Sequence, residues 1–227
     1  LGATARPASG QVMDQARYLL LMADHLEQAP GLSGRPVRLE GEAWYGGIWN
    51  RLWMKLDGDA DTRGGEGAFE AQALFSRMIS PYWDAQIGAR VDAAWGDESR
   101  SRTHLALGLQ GLAPYWFEVE STLFVSSGGD VSLRLKGSYD LLLTQRLILE
   151  PDLEVSASFQ DQPDWGLASG VNDTQLGLRL RWEIRRELAP YVGYFWHRSF
   201  GGTADLRRDS GLPWRDGSVV MGLRMWY

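Results

Sequence analysis

The sequence predicts an all-β protein: a single antiparallel transmembrane β-barrel with an up-and-down meander of twelve strands, ten being the alternative count. Three observations predict this fold. Apolar and polar residues alternate with period two, the connections alternate between short and long, and aromatic residues gather beside the short connections. Outer-membrane barrels combine an apolar outer face with short turns on one rim and longer loops on the other.

The clearest alternation covers residues 176–185. Leu178 and Leu180 fall on one face of an extended chain, whereas Arg179 and Arg181 fall on the other. A helix would scatter these side chains around its circumference, but a strand separates them completely. Segments of this kind predict strands at residues 15–27, 36–46, 50–62, 67–79, 83–95, 101–112, 116–127, 130–142, 146–160, 172–186, 190–200 and 217–227. The first segment also fits an amphipathic helix.

The connections and the aromatic residues predict the two rims. Short turns are expected near residues 46–49, 80–82, 113–115, 143–145 and 187–189, and longer polar loops near 28–35, 60–66, 96–100, 161–171 and 201–216. Trp and Tyr favour the membrane–water interface. Ten of the 19 Trp and Tyr residues lie beside short turns or at the C-terminus: Trp44, Tyr45, Trp49, Tyr82, Trp83, Tyr115, Trp116, Tyr191, Trp226 and Tyr227. A soluble barrel or sandwich with ordinary core aromatics is the alternative.

Composition narrows the classes of protein further. The 227 residues suit one domain, expected as a barrel over residues 15–227 after a flexible lead-in at 1–14. The longest apolar run, residues 18–23, is far shorter than the roughly 20 residues of a membrane helix. A net charge of −6 disfavours nucleic acid as a partner, and the absence of cysteine excludes disulfides and thiolate ligands. The chain starts without Met or a signal peptide, so a mature or trimmed form is expected.

The polar strand faces are expected to line the lumen. Fourteen acids against ten bases give this lumen a charge of about −4, which would favour cations. Two interpretations stay open, a packed ionic network and a cation path. The residues expected in such a network are Arg38, Glu40, Lys55, Arg134, Lys136, Asp152, Arg179 and Arg181. Folding about the short connections predicts the cross-strand partners Arg134–Glu154, Lys136–Asp152, Arg38–Asp57, Glu40–Lys55 and Glu120–Lys136.

Metal ligands are few and scattered in the sequence. Met22 and His25 are three residues apart, which places them on opposite faces of a regular strand. No His-x-His or Met-x-x-Met pair occurs, but carboxylates and imidazoles near the lumen could still hold a divalent ion weakly. The candidate metal ligands are His25, Asp57, Asp59, His104, Glu118, Glu120, Glu154 and His197.

Catalytic chemistry is not expected. His197 shares a strand face with Ser199, and His104 has Ser101 nearby, but neither serine lies in a recognisable nucleophile motif. The protein is therefore predicted not to be an enzyme. An outer-membrane hydrolase and a structural or small-solute barrel without a metal role remain the alternative functions.

Several blocks of sequence resemble the copper resistance protein B family of Gram-negative outer membranes. They read WYGGIWNRLWMK at residues 44–55, LAPYWFEVE at 112–120, YDLLLTQRLILEP at 139–151, GLRLRWEIRRELAPYVG at 177–193 and FGGTADL at 200–206. Together with the terminal strand, the resemblance spans about four-fifths of the chain.

The resemblance implies an outer-membrane barrel of a copper resistance and homeostasis system. Such a barrel would bind or conduct copper ions through its lumen, with copper transported or weakly bound rather than catalytic. Outer-membrane lipid, copper ions and periplasmic copper-resistance proteins are the implied partners. Family members also carry a Met- and His-rich segment before the barrel, whereas residues 1–14 contain one Met and no His.

Overall fold

The protein forms a closed barrel of twelve antiparallel strands. The computed structural model describes residues 16–31, 36–62, 65–96 and 99–227, so the expected lead-in at 1–14 lies outside the described residues. The strands are β1 (Tyr18–Gln28), β2 (Val37–Gly46), β3 (Asn50–Ala60), β4 (Gly67–Ser80), β5 (Trp83–Trp95), β6 (Arg100–Ala113), β7 (Phe117–Ser126), β8 (Val131–Ser138), β9 (Leu147–Ser158), β10 (Gly170–Trp182), β11 (Leu188–Ser199) and β12 (Arg215–Trp226).

Each strand pairs with its neighbours in the sequence, and β1 pairs with β12 to close the sheet. Met22 faces Trp226 and Gln28 faces Met221 across this seam. Closure leaves no edge unpaired among the twelve described strands, which is the condition for a sheet to cross lipid. The predicted twelve-stranded meander is therefore confirmed.

Two local features differ from the sequence prediction. The eighth strand breaks after Ser138 and resumes as Leu141–Leu142, which still pairs with β9. The connection between β11 and β12 contains a helix, α1 (Gly201–Asp209), where only a loop was expected. Only Thr203 and Ala204 of this helix are buried, so its apolar pattern is too short to be detected from sequence.

Among the described residues, no helix has the length and apolar character needed to span a membrane.

Side-chain direction follows the predicted alternation. On β10, Leu176 and Leu178 point outward and are 43% and 49% exposed, whereas Arg179 and Arg181 point inward and are 2% and 3% exposed. Soluble proteins bury apolar side chains and expose charged ones. This barrel has the opposite distribution, with an apolar outer face and a charged inner face. This arrangement disfavours the alternative of a soluble barrel or sandwich with ordinary core aromatics.

Aromatic side chains mark the short-turn rim. Tyr82, Tyr115 and Trp116 lie in or beside the short turns that precede β5 and β7, and all three are exposed. Tyr115 and Trp116 have positive φ angles of 69° and 67° in the turn after Pro114, and their side chains are 83% and 68% exposed. This rim therefore has the aromatic composition of a membrane interface.

A β-bulge in β1 changes which residues face the lumen. The pairing with β2 shifts register between Ala23 and His25, which inserts one extra residue into β1. Met22, Asp24 and His25 therefore all line the interior. The prediction that Met22 and His25 lie on opposite faces is wrong, because it assumed a regular strand.

Candidate functional site

The lumen contains a cavity that reaches the short-turn rim, and we refer to it as the vestibule. Its volume is about 470 Å³, and Pro81, Tyr82 and Leu112 of the short-turn rim are among its lining residues. The acidic residues that line it are Asp24, Glu40, Glu42, Asp84, Glu118, Glu120, Asp140, Glu150, Asp152 and Glu154. The basic residues that line it are Arg38, Arg51, Lys136 and Arg224. Among the described residues, acids thus outnumber bases ten to four around this cavity.

Three acceptor side chains in the vestibule converge on the Arg224 guanidinium, which is the hydrogen-bond donor. Its Nη2 lies 3.6 Å from the Met22 Sδ and 3.3 Å from the Asp24 Oδ1. Its Nη1 lies 3.9 Å from the Glu150 Oε2. A thioether sulfur and two carboxylates therefore surround the Arg224 guanidinium. Two of these three groups, those of Met22 and Asp24, belong to the bulged strand β1.

His25 lies beside this position. Its Nδ1 is 3.0 Å from the Glu40 Oε2, and its Nε2 is 3.9 Å from the Glu150 Oε1. The edge of the imidazole meets the Tyr191 ring at a centroid distance of 5.9 Å. Because Glu150 neighbours both His25 and Arg224, the imidazole, the thioether and the carboxylates form one cluster, which we call the bulge cluster: Met22, Asp24, His25, Glu150 and Arg224.

Ion pairs cross the lumen from the inner end of the vestibule toward the long-loop rim. The Lys136 Nζ lies 2.8 Å from the Glu40 Oε1 and 3.4 Å from the Glu154 Oε2. Arg134 binds Glu154 at 3.1 Å and reaches across from β8 to β4, where it binds Glu70 with both terminal nitrogens at 2.8 Å. Bidentate arginine–carboxylate pairs are directional and strong. These contacts tie opposite walls of the barrel together.

The chain of ion pairs continues to the long-loop rim. Arg90 binds Glu70 at 2.8 Å and Asp92 at 2.5 Å, and Arg102 binds the same Asp92 at 2.8 Å. The Arg102 Nη1 donates to the Gln162 Oε1 at 2.7 Å, in the connection between β9 and β10. Charged side chains therefore connect the inner end of the vestibule to a loop at the opposite rim.

The connection between β9 and β10 folds toward the lumen at the long-loop rim. The guanidinium of Arg102 stacks on the Trp165 ring at 4.0 Å from its centroid. At the exposed side of this loop, the backbone N–H of Ser169 donates to the Asp161 Oδ1 at 2.7 Å, which holds the pKa of Asp161 below its usual value. These contacts order a long loop across the end of the barrel.

Apolar side chains fill another part of the interior. Trp53, Leu74, Ala106 and Phe124 form a buried cluster on the inner faces of β3, β4, β6 and β7. The Arg90 guanidinium lies over the Phe124 ring at 4.3 Å from its centroid. A second described cavity, which Asp57, Glu70 and Arg134 help to line, has a volume of only about 70 Å³.

A second ionic network lies between β1, β9 and β10. Arg179 binds Glu27 through Nε at 3.0 Å and Nη2 at 3.1 Å, and it also binds Asp152. The Tyr191 hydroxyl donates to the Glu27 Oε2 at 3.1 Å. Gly177 makes room for this arrangement, because a Cβ there would overlap the Asp152 carboxylate and the Arg179 guanidinium.

Arg181 extends this network toward the vestibule. Its Nη2 lies 2.7 Å from the Asp140 Oδ2, and its Nη1 binds Glu150. Glu150 belongs to the bulge cluster, so the second network holds one of the carboxylates that surround Arg224.

Several predicted cross-strand partners are wrong by two residues. The turns between β2 and β3 and between β8 and β9 are each centred one residue later than predicted. Each residue is therefore opposite a partner two positions further along the next strand. Because side chains alternate with period two, the new partner lies on the same face of the sheet. The register Glu120–Lys136 is confirmed. The observed partners are Arg38–Asp59, Glu40–Asp57, Glu42–Lys55, Lys136–Glu154 and Arg134–Ser156.

The three histidines lie in separate places. His104 is buried with its Nδ1 3.9 Å from the Asp92 Oδ2. His197 lies near the long-loop end of β11, between Asp173 at 2.9 Å and Asp216 at 3.5 Å. Within the described residues, no three His, Asp or Glu side chains are arranged as a metal site.

The remaining candidate ligands are dispersed as well. Asp57 lies 3.5 Å from Arg38, and Glu120 lies 2.6 Å from the Lys55 Nζ, which in turn binds Gln110. Glu154 is held by Arg134 and Lys136. Asp59 is exposed near the long-loop end of β3, and Glu118 lines the vestibule within 3.5 Å of the Ser138 hydroxyl.

The Ser199–His197 pair does not form a catalytic dyad. The Ser199 hydroxyl donates to the Asp173 Oδ1 at 2.6 Å, and the His197 Nε2 meets the same oxygen. The other nitrogen of His197 faces Asp216. An activated serine needs a hydrogen bond to its base, and here both ring nitrogens face carboxylates instead.

The fold and the lumen define a porin-like β-barrel with an ion-paired interior. Comparison with solved structures agrees with this class. The NanC porin matches with a TM-score of 0.56 at 10% identity over 92% of this chain and 99% of its own. Outer membrane phospholipase A from Escherichia coli matches with a TM-score of 0.54 at 14% identity over 92% of both chains. At these identities the likeness concerns the fold alone.

The chain belongs to the copper resistance protein B family. The family model for the copper resistance protein B precursor matches residues 17–227. Copper resistance protein B of Escherichia coli is 41% identical over 216 residues, which are 95% of this chain and 72% of that protein. A copper resistance protein B homolog of Pseudomonas syringae pv. tomato is 38% identical over 217 residues, which are 96% of this chain and 72% of that protein. The predicted family is thus confirmed.

Proposed function

We propose that this protein is an outer-membrane barrel of a copper resistance system that binds copper ions in its vestibule. The exposed apolar outer face, the aromatic short-turn rim and the likeness to porins support the location. Membership of the copper resistance protein B family supports copper as the cargo. Short turns face the periplasm in outer-membrane barrels, so the vestibule would open to the periplasm.

The bulge cluster is the proposed copper site. It is the observation that carries the proposal, because it brings a thioether, an imidazole and carboxylates together inside an acidic cavity. Soft thioether and imidazole ligands suit copper, and the thioether of Met22 favours copper(I). The excess of carboxylates around the vestibule would raise the local concentration of cations.

Arg224 has a specific part in this proposal. Its guanidinium occupies the position between Met22, Asp24 and Glu150 that a metal ion would take. Copper binding would require this side chain to swing away, so Arg224 would compete with the ion. A competing internal cation keeps the carboxylates neutralised when copper is absent and makes binding reversible.

The closed interior supports binding rather than open conduction. Lys136 and Glu154 at the inner end of the vestibule, and Arg134 and Glu70 beyond it, form ion pairs across the lumen. Copper would therefore exchange on the periplasmic side, with periplasmic copper-resistance proteins as the proposed partners.

Copper(I) titration of the detergent-solubilised protein against a chelator tests the site. The variant Met22→Leu/His25→Gln should bind copper(I) about tenfold more weakly or worse, since it loses the two softest ligands. Arg224→Gln should bind more tightly, because the competing cation is gone. Met54→Leu is the matched control, since Met54 is on the outer face and is exposed.

The results of this titration distinguish an error in the proposed copper site from an error in the proposed function. If the double variant and Met54→Leu bind copper(I) equally well, the bulge cluster is not the site. The proposed function itself is wrong if two results are found together. The unaltered protein binds no copper(I), and cells that lack the protein tolerate copper as well as cells that contain it.

A further inference from the structure

Two arginines face each other on the outer surface near the long-loop rim. Arg198 of β11 is directly opposite Arg215 of β12, and both side chains are exposed. Like charges directly opposite each other destabilise a strand pair. Among the described residues, neither guanidinium forms an ion pair with a carboxylate, in contrast to the densely paired arginines of the lumen. The outer surface therefore keeps an uncompensated double positive charge.

A third arginine and a tryptophan complete the group. Trp214 precedes β12, and the Cζ atoms of Arg198, Arg208 and Arg215 lie 5.5, 4.6 and 4.9 Å from its ring centroid. Arg208 comes from α1 and pairs with Asp205 at 2.5 Å. The indole thus holds three guanidiniums together by cation–π contacts. We call these four residues the arginine patch.

The position of the arginine patch along the barrel axis, relative to the apolar outer surface, indicates which kind of ligand it binds. The next outward pairs along β11 and β12 are Trp196–Gly217 and Tyr194–Val219, and below them the surface is apolar. The patch therefore lies one step above the apolar band, at the level where lipid headgroups begin. Guanidinium groups bind phosphate oxygens in bidentate geometry. Tryptophan favours the same interfacial layer.

We propose that the arginine patch is a binding site for the phosphate groups of a lipid in the outer leaflet. The inference rests on the proposed membrane location and is independent of copper. A phosphate between Arg198 and Arg215 would neutralise the repulsion that the strand pairing imposes, so lipid binding would also stabilise the β11–β12 pair. The two uncompensated guanidiniums favour a lipid whose phosphate groups carry at least two negative charges in total.

Native mass spectrometry in a neutral detergent tests this site with lipid A as the probe. The unaltered protein should retain lipid A, and Arg198→Gln/Arg215→Gln should retain it about tenfold less or worse, because two charge-assisted contacts are lost. Arg185→Gln/Arg186→Gln is the matched control: it makes the same charge change at two exposed arginines of the short-turn rim. This control should leave lipid A retention unchanged.

Two further probes identify the ligand. Lipid A without its phosphates should be retained weakly, and inorganic phosphate should not displace phosphorylated lipid A. Equal retention of the dephosphorylated lipid, or equal loss in the two arginine variants, would overturn the proposed site. Displacement by inorganic phosphate would assign the patch to free anions instead and would also overturn it. Flotation with phospholipid vesicles tests the membrane location independently of lipid A. If the protein does not float with the vesicles, both the proposed membrane location and the proposed lipid site are wrong.

Discussion

Replacing Arg179 with methionine is expected to lower the free energy of unfolding by about 3–5 kcal/mol, because it leaves buried carboxylates without a countercharge. The side chains of Arg179 and Glu27 are each only 3% exposed, and Asp152 shares the same guanidinium. Urea unfolding of the protein in detergent micelles, followed by tryptophan fluorescence, measures the change. The matched control is Arg185→Met, because Arg185 is exposed beside a short turn.

A second substitution distinguishes loss of the ion pair from loss of packing. Arg179→Met combined with Glu27→Leu should recover much of the lost stability, since replacing both partners of a buried pair by apolar groups is close to neutral. If the double variant is no more stable than Arg179→Met, the buried charge is not what destabilises the single variant. A loss below about 1 kcal/mol in the single variant would contradict the role given to this network.

Leu178→Arg is expected to impair membrane insertion strongly. Leu178 lies on the outer face of β10 and is about half exposed, so the substitution costs little in water. In lipid, an arginine on the outer face of a barrel near the midplane costs about 2–4 kcal/mol. The fraction of protein that inserts into phospholipid vesicles during refolding measures this cost.

Leu212→Arg is the matched control for Leu178→Arg. Leu212 has a similar exposed fraction but lies in the connection between α1 and β12, outside the strands. This variant should insert like the unaltered protein. Equal insertion of both variants would show that the outer face of β10 does not meet hydrocarbon.

The strands and their faces could be predicted because an apolar outer face and a polar lumen impose period two on regular strands. Leu176, Leu178 and Arg179 illustrate this: their directions follow from the sequence alone. The registers of β2–β3 and β8–β9 could not be fixed so well, since they depend on where a turn is centred. A shift by two residues preserves the face, so the predicted inward residues remained inward although their partners changed.

The bulge cluster could not be predicted because it depends on an irregularity and on closure of the barrel. The outward positions Leu19 and Leu21 are followed by Leu26, and this change of parity is the sequence signal that identifies a bulge. Arg224 reaches Met22 only because β12 pairs with β1 at the seam. Met22 and Arg224 are near opposite ends of the chain, so no local spacing pattern in the sequence indicates that they meet.

Photolabelling from within the bilayer shows which apolar side chains of the barrel point outward toward lipid. A carbene precursor confined to the bilayer, followed by mass spectrometry, should label Leu178, Tyr194 and Val219 on the outer face. It should not label Leu74 or Phe124, which are equally reactive but only 1% exposed inside the barrel. Labelling of Leu74 and Phe124 with protection of Leu178 would show that the outer apolar face does not meet hydrocarbon.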